Sequence, residues 1–205
     1  MLIEAKARVA ILLSGRGSNF MALADATEAG EINAEICLVA SNVAGAAGIA
    51  EANRRGLATV EIPHSSTENR SAHEALMLAA LAEAGTEWIC LAGYMRKLSP
   101  QFVDYYRNRV LNIHPSLLPA FPGLHVHEQV LQHGTKVSGC TVHLVDEGLD
   151  SGPIVVQRAV DVHDDDTANT LAARVLEQEH RAYPEALRRL VGENWSIVGR
   201  RVVFG

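Results

Sequence analysis

Between residues 8 and 114, short apolar runs alternate with amphipathic stretches closed by glycine or proline signals. That alternation restricts the chain to an α/β fold with a parallel sheet. Arg8–Leu13, Ala34–Ala40, Ala58–Ile62, Trp88–Ala92 and Val110–His114 read as strands. Phe20–Glu28, Ala44–Arg55 (ending at Gly56), Asn69–Ala84 (stopping at Gly85) and Pro100–Tyr106 read as the helices between them. Strands that each return through a helix pair in parallel. The pattern therefore predicts a Rossmann-like, mostly parallel, doubly wound sheet with helices on both faces.

After Pro115 the rhythm changes. Leu117–His125 reads as a loop, Val126–His133 as a helix ending at Gly134, and Cys140–Val145 and Ile154–Ala159 as two strands joined by DEGLDSGP. A long helix is expected from an N-cap near Asp166–Thr167 to about Leu190, kinked or broken around Pro184. Trp195–Val198 and Arg201–Phe204 flank Gly199 as a terminal hairpin. The C-terminal part thus adds an antiparallel strand and a long helix to the parallel sheet.

At 205 residues the chain suits one domain over 1–205, long enough to bury a continuous core. No apolar stretch reaches the length of a membrane span, and the segment MLIEAKARVAILLS reads as a first strand, not a signal peptide. Cys37, Cys90 and Cys140 are widely spaced and odd in number, so reduced core thiols in a cytoplasmic protein are expected. A net charge of −6 argues against nucleic-acid binding. It leaves room for anionic small molecules, because Arg16, Arg70, Arg96 and Lys97 lie in or near the loops of interest.

Two segments carry chemistry. SGRGSN (14–19) sits between a strand and a helix, where backbone N–H groups and a helix N-terminus make an anion site. No Gly-Lys-Ser/Thr follows, so it is not a P-loop. Phe20 stands where a dinucleotide fingerprint has its third glycine, and the second strand ends in Ser41-Asn42 with no acid for a ribose diol. A single phosphate fits better than a pyrophosphate; a tight turn with no ligand is the alternative. In VLNIHPSLLP (110–119), Asn112 and His114 are two apart on a strand and share a face, just where Pro115 ends the ladder. They are either satisfied polar groups at a strand end or a functional pair.

Five segments in order, ILLSGRGSN, LAGYMRKLSP, VLNIHPSLLPAFPGLHVH, GCTVHLVDEGLDSGPI and ARVLEQEHRAYPEAL, give the chain a resemblance over essentially its whole length. It resembles phosphoribosylglycinamide formyltransferase, a folate-dependent family of purine synthesis. The resemblance implies the formyltransferase fold and 10-formyltetrahydrofolate as co-substrate, with no metal. Its formyl group would pass to the amine of a phosphoribosyl glycinamide. By matching position, Gly17, Ser18 and Asn19 would hold the phosphate, and Glu179 the ribose end. Met95, Arg96, Lys97 and Leu98 would line the folate pocket, with Arg70 and Asn112 also approaching the folate. Asn112, His114 and Asp150 would form the catalytic group, Asp150 favouring the imidazolium of His114. The partners implied are small molecules only, without nucleic acid or membrane, for a monomer or homodimer.

Rival readings are weaker. His125, His127 and His143 could suggest metal ligands, but no cysteine pair or HExxH accompanies them. The run HDDD (163–166) could hold a cation, yet a solvated loop entering an N-cap explains it as well. Formyltetrahydrofolate deformylase shares the Asn-x-His arrangement, but it carries an extra N-terminal domain and a histidine where this chain has Pro115. Methionyl-tRNA formyltransferase has a C-terminal domain with no counterpart here. A non-catalytic nucleotide-binding module would be expected to lack one of Asn112, His114 and Asp150. Ala120 departs from relatives that carry a basic residue there, which points to weaker hold on an anionic group.

Overall fold

The computed structural model describes residues 5–205. Met1–Glu4, which the first-strand reading included, lie outside the described residues. The elements are β1 (Ala7–Leu13), α1 (Ser18–Glu28), β2 (Ala34–Ser41), α2 (Ala47–Arg54), β3 (Thr59–Glu61), α3 (Arg70–Glu83), β4 (Trp88–Leu91) and α4 (Pro100–Tyr105). They continue with β5 (Val110–His114), α5 (Val126–Gln132), β6 (Val137–Leu144), β7 (Ile154–Asp161), α6 (Ala168–Gly192), β8 (Trp195–Val198) and β9 (Arg201–Phe204).

One sheet holds the strands in the order β3-β2-β1-β4-β5-β6-β7-β9-β8. From β3 to β5 every pairing is parallel, as the βαβ rhythm predicts. The chain winds outwards from β1 to β3, then crosses back to β4 and β5. That reversal puts a crevice between the loops leaving β1 and β4, at the carboxyl ends of the strands. β6 then runs antiparallel to both β5 and β7, β9 meets β7 in parallel at Ile154–Arg201, and the β8–β9 hairpin closes the edge.

Both faces of the parallel part are covered, which explains its near-continuous apolar runs. On β1, Val9, Ile11 and Leu13 enter one core layer, while Ala10 and Leu12 enter the other. Tyr183 of α6 reaches through to the sheet, its hydroxyl 3.1 Å from the carbonyls of both Leu91 and Leu111, and so ties β4 to β5 beside the site.

Three expectations need correction. Of the kink or break expected around Pro184, the break does not occur: α6 runs unbroken through Pro184. Proline withholds only one N–H, and the buried Ala182, Tyr183, Ala186 and Leu187 on either side dock both halves on the sheet. Strand β6 starts at Val137, not Cys140, because pairing of Val137 with Asp161 makes a strand of the weakly patterned VSG. Among the thiols, Cys90 and Cys140 are core residues, but Cys37 is only half-buried and contacts Thr86.

Candidate active site

The glycine loop is built by close approach. α1 begins at Ser18, two residues earlier than the pattern suggested, and Gly17 caps it at φ 73°. A Cβ on Gly17 would lie 3.2 Å from the Cα of Gly48 and from Leu13, so glycine satisfies both the left-handed backbone and the packing of α2. No side chain caps the helix. The leading N–H groups of this 11-residue helix therefore face outwards with the positive end of its dipole.

Asn19 is buried, and its Nδ2 donates to Glu179 Oε2 at 2.7 Å while its Oδ1 has no partner. Its amide is thus committed to α6 instead of standing as a free donor at the helix mouth. Burial pushes the Glu179 carboxyl above its ordinary range, opposed by the hydrogen bond from Asn19.

The loop after β4 is tied to the first. Ser14 Oγ donates to Asn42 Oδ1 (2.6 Å) and accepts the N–H of Met95 (2.8 Å). Arg70 supports the same loop from behind, donating to the Lys97 carbonyl (2.6 Å) and to Glu74 (3.1 Å), which also accepts the N–H of Ser99 (2.9 Å). Arg70 does not line the cavity that Met95–Leu98 line. It shapes the loop from outside.

Asn112 and His114 project from β5 opposite His143 and Thr141 of β6. His114 is buried, with Nε2 2.9 Å from the Phe121 carbonyl and Nδ1 3.4 Å from Asp150 Oδ2. A carbonyl only accepts, so Nε2 carries a hydrogen and Nδ1 is the nitrogen free to exchange one. Thr141 fixes the backbone that supplies that carbonyl: its Oγ1 donates to the Ser116 carbonyl (2.7 Å) and accepts the Leu118 N–H (3.0 Å). Asp150 sits at φ 49°, a left-handed conformation that aspartate tolerates better than most residues, and its Oδ2 accepts the Gly123 N–H (2.9 Å).

These groups share a cavity of about 900 Å³ with Met95, Arg96, Lys97 and Leu98. Its rim is apolar and exposed at Met95, Leu124 and Leu149. Amide, imidazole and carboxylate meet where a planar ligand can enter, which suits proton transfer and stabilisation of a developing oxyanion.

The chain matches the formyl transferase family over residues 7–187. It belongs to that family. It is 41% identical to the phosphoribosylglycinamide formyltransferase of Escherichia coli, over 86% of this chain and 83% of the relative. It is 48% identical to the trifunctional purine biosynthetic protein adenosine-3 of Drosophila melanogaster, over 93% of its own length but only 14% of that protein. The crystal structure of glycinamide ribonucleotide transformylase 1 from Symbiobacterium toebii superposes with a TM-score of 0.95 at 42% identity, covering 98% of this chain and 95% of that one. A formyltetrahydrofolate deformylase from Pseudomonas syringae has the same core (TM-score 0.91) at 25% identity, with 66% of its length covered.

In this member of the formyl transferase family the expected residues fall into two groups. Met95–Leu98, Asn112, His114 and Asp150 line one cavity, whereas Gly17, Ser18, Asn19 and Glu179 cluster where α1 meets α6. Missed by the sequence reading were Leu124 and Leu149 on the cavity wall; His127 and His143, weighed there only as metal ligands or packing around the catalytic loop, line the same cavity. The acidic run serves the fold: Asp166 pairs with Arg174 at 2.7 Å, which holds its carboxyl well below the usual range, and Thr167 caps α6. Among the described residues, no group of three or more His, Cys, Asp or Glu side chains is placed to hold a metal ion. None of the described helices is long and apolar enough to cross a membrane.

Proposed function

We propose that the protein transfers the formyl group of 10-formyltetrahydrofolate to the amine of N1-(5-phospho-D-ribosyl)glycinamide, a step of cytoplasmic purine biosynthesis, without a metal. The observation that carries this reading is His114, held by Phe121 so that Nδ1 alone faces Asp150 beside the Asn112 amide. The glycinamide amine attacks the formyl carbon and an oxyanion forms. Asn112 N–H and His114 Nδ1–H donate to that oxygen, where preorganised donors lower the barrier most. Asp150 stabilises the imidazolium and accepts the proton lost by the attacking amine. Collapse of the intermediate breaks the bond to N10 of the folate, which takes up a proton as it leaves. The Met95–Leu98 wall holds the folate, and the uncapped start of α1 holds the acceptor's phosphate.

A hydrolase reading would put water in place of the amine. The uncapped start of α1 favours a phosphorylated acceptor over water. Folate absorbance decides between them. Tetrahydrofolate is expected only when both 10-formyltetrahydrofolate and the ribonucleotide are present; release without the ribonucleotide would establish the hydrolase, and no release in either case would overturn both.

Glu179 gives a second test. A carboxyl whose folded pKa is raised favours the folded state below its unfolded pKa and loses that contribution as pH rises through the folded value. At neutral pH its ionised form is therefore a cost, which Glu179→Gln removes while keeping an oxygen for Asn19. We expect that variant to melt roughly 2–4 °C higher at pH 8, on the order of 1 kcal/mol. The gain should vanish below the ordinary carboxylate pKa, and KM for the ribonucleotide should rise. An unchanged KM would remove Glu179 from the ribose site.

A further inference from the structure

One histidine of the cavity has no part in the chemistry described above. His143 faces Asn112 directly across the β5–β6 ladder. Its Nδ1 lies 3.0 Å from the Leu144 carbonyl, and its Nε2 lies 3.3 Å from Asn112 Nδ2 and 3.8 Å from Asp150 Oδ1. The carbonyl can only accept, so Nδ1 carries the hydrogen. If the ring is neutral, Nε2 presents a lone pair, and a lone pair repels an amide oxygen but accepts an amide N–H. The Asn112 side chain is then fixed with nitrogen towards His143. No other hydrogen bond engages that amide among the described residues, so its second N–H is left for the cavity it lines.

We infer that His143 is a positioning residue: as a neutral Nδ1–H tautomer it locks the Asn112 amide so that one N–H points at the site of the developing oxyanion. The inference rests on the transferase reading for the identity of that oxyanion, but the lock itself does not.

Burial keeps the imidazole below its ordinary pKa and agrees with a neutral ring; His114 acts in the same direction, while Asp150, Asp146 and the Leu144 carbonyl oppose it. A protonated ring would set Nε2–H against the Asn112 N–H and force the amide to turn over, offering its oxygen where a donor is needed.

Two measurements test the lock. In a double-mutant cycle, His143→Leu should lower kcat by about 10- to 100-fold with KM values nearly unchanged, because a misdirected donor loses most of an oxyanion contact. In an Asn112→Ala background the same change should cost less than about threefold, since the residue it acts through is gone. Equal losses in both backgrounds, or no loss in either, would overturn the assignment. The second measurement needs neither turnover nor a variant: 15N NMR of the imidazoles in the wild-type protein at neutral pH should show His143 as the Nδ1–H tautomer. An Nε2–H tautomer or an imidazolium would overturn the lock even if the transferase activity is present.

Discussion

His114→Ala is expected to lower kcat by about 10²- to 10⁴-fold, the range for removal of a positioned acid or base. The structure supplies a control that separates chemistry from packing. His114 makes two contacts, one from Nε2 to the Phe121 carbonyl and one from Nδ1 towards Asp150, of which only the second has a part in the proposed proton transfer. Alanine removes both and leaves the Phe121 carbonyl with only the 3.2 Å hydrogen bond from Ser116 Oγ; losing the imidazole bond costs about 1 kcal/mol. Glutamine can place an amide N–H near the position of Nε2, so His114→Gln restores the bond to Phe121 but has no group that titrates. The two variants should therefore differ in Tm, with glutamine the more stable, and agree in their loss of turnover. Steady-state kinetics and thermal denaturation on both proteins check this. If His114→Gln keeps turnover within tenfold of the parent chain, Nδ1 is not the acid, and the donors to the oxyanion must lie elsewhere in the cavity.

What could be read from the residues divides along a physical line. Strands β1, β2, β4 and β5 were legible because each lies inside the sheet, largely buried, and is bounded by its own turn signals, so local pattern and tertiary environment agree. The glycine loop was legible for the same reason, since Gly17 answers a need of its immediate neighbourhood. The side-by-side projection of Asn112 and His114 follows from strand geometry alone. Contacts that depend on register between distant segments were not legible. His143 faces Asn112 only because β6 runs antiparallel to β5 in one particular register, and a slip of one residue would turn it to the other face. Asn19 and Glu179 meet across 160 residues of chain, and nothing local in either segment announces it. Asp150 was placed near His114 by family resemblance; the 3.4 Å separation is supplied by the fold. Pro184 does not break α6, because burial of the helix on both sides of it outweighs the loss of one backbone donor.

The same distinction predicts the largest effect outside the site residues. Gly152 touches no ligand-lining surface, yet a Cβ on it would fall 1.8 Å from the Leu144 carbonyl oxygen and 2.9 Å from its carbon. Those are backbone atoms of β6, and the adjacent Leu144 N–H already donates to the Pro153 carbonyl at 2.9 Å. Neither side can yield cheaply, so Gly152→Ala must push the loop off the strand by more than an ångström. Asp150 is two residues away on that loop, in a left-handed conformation and anchored by Gly123. If Asp150 has the catalytic role proposed for it, a displacement of that size costs roughly a hundredfold in rate, and overpacking of this kind costs about 1–3 kcal/mol of stability. Gly148, in the same loop, provides the contrast. Its added Cβ would lie 1.9 Å from Ser151 Oγ, a side-chain tip that can rotate away at the expense of its 2.7 Å bond to Asp146. Gly148→Ala should therefore lose less than about tenfold in kcat, since giving up one side-chain hydrogen bond costs only about 1 kcal/mol. Measured kcat and Tm for the pair decide the point: equal damage from the two substitutions would mean that the loop gives way as a whole, and that the seat of Gly152 on β6 is not what holds Asp150 against His114.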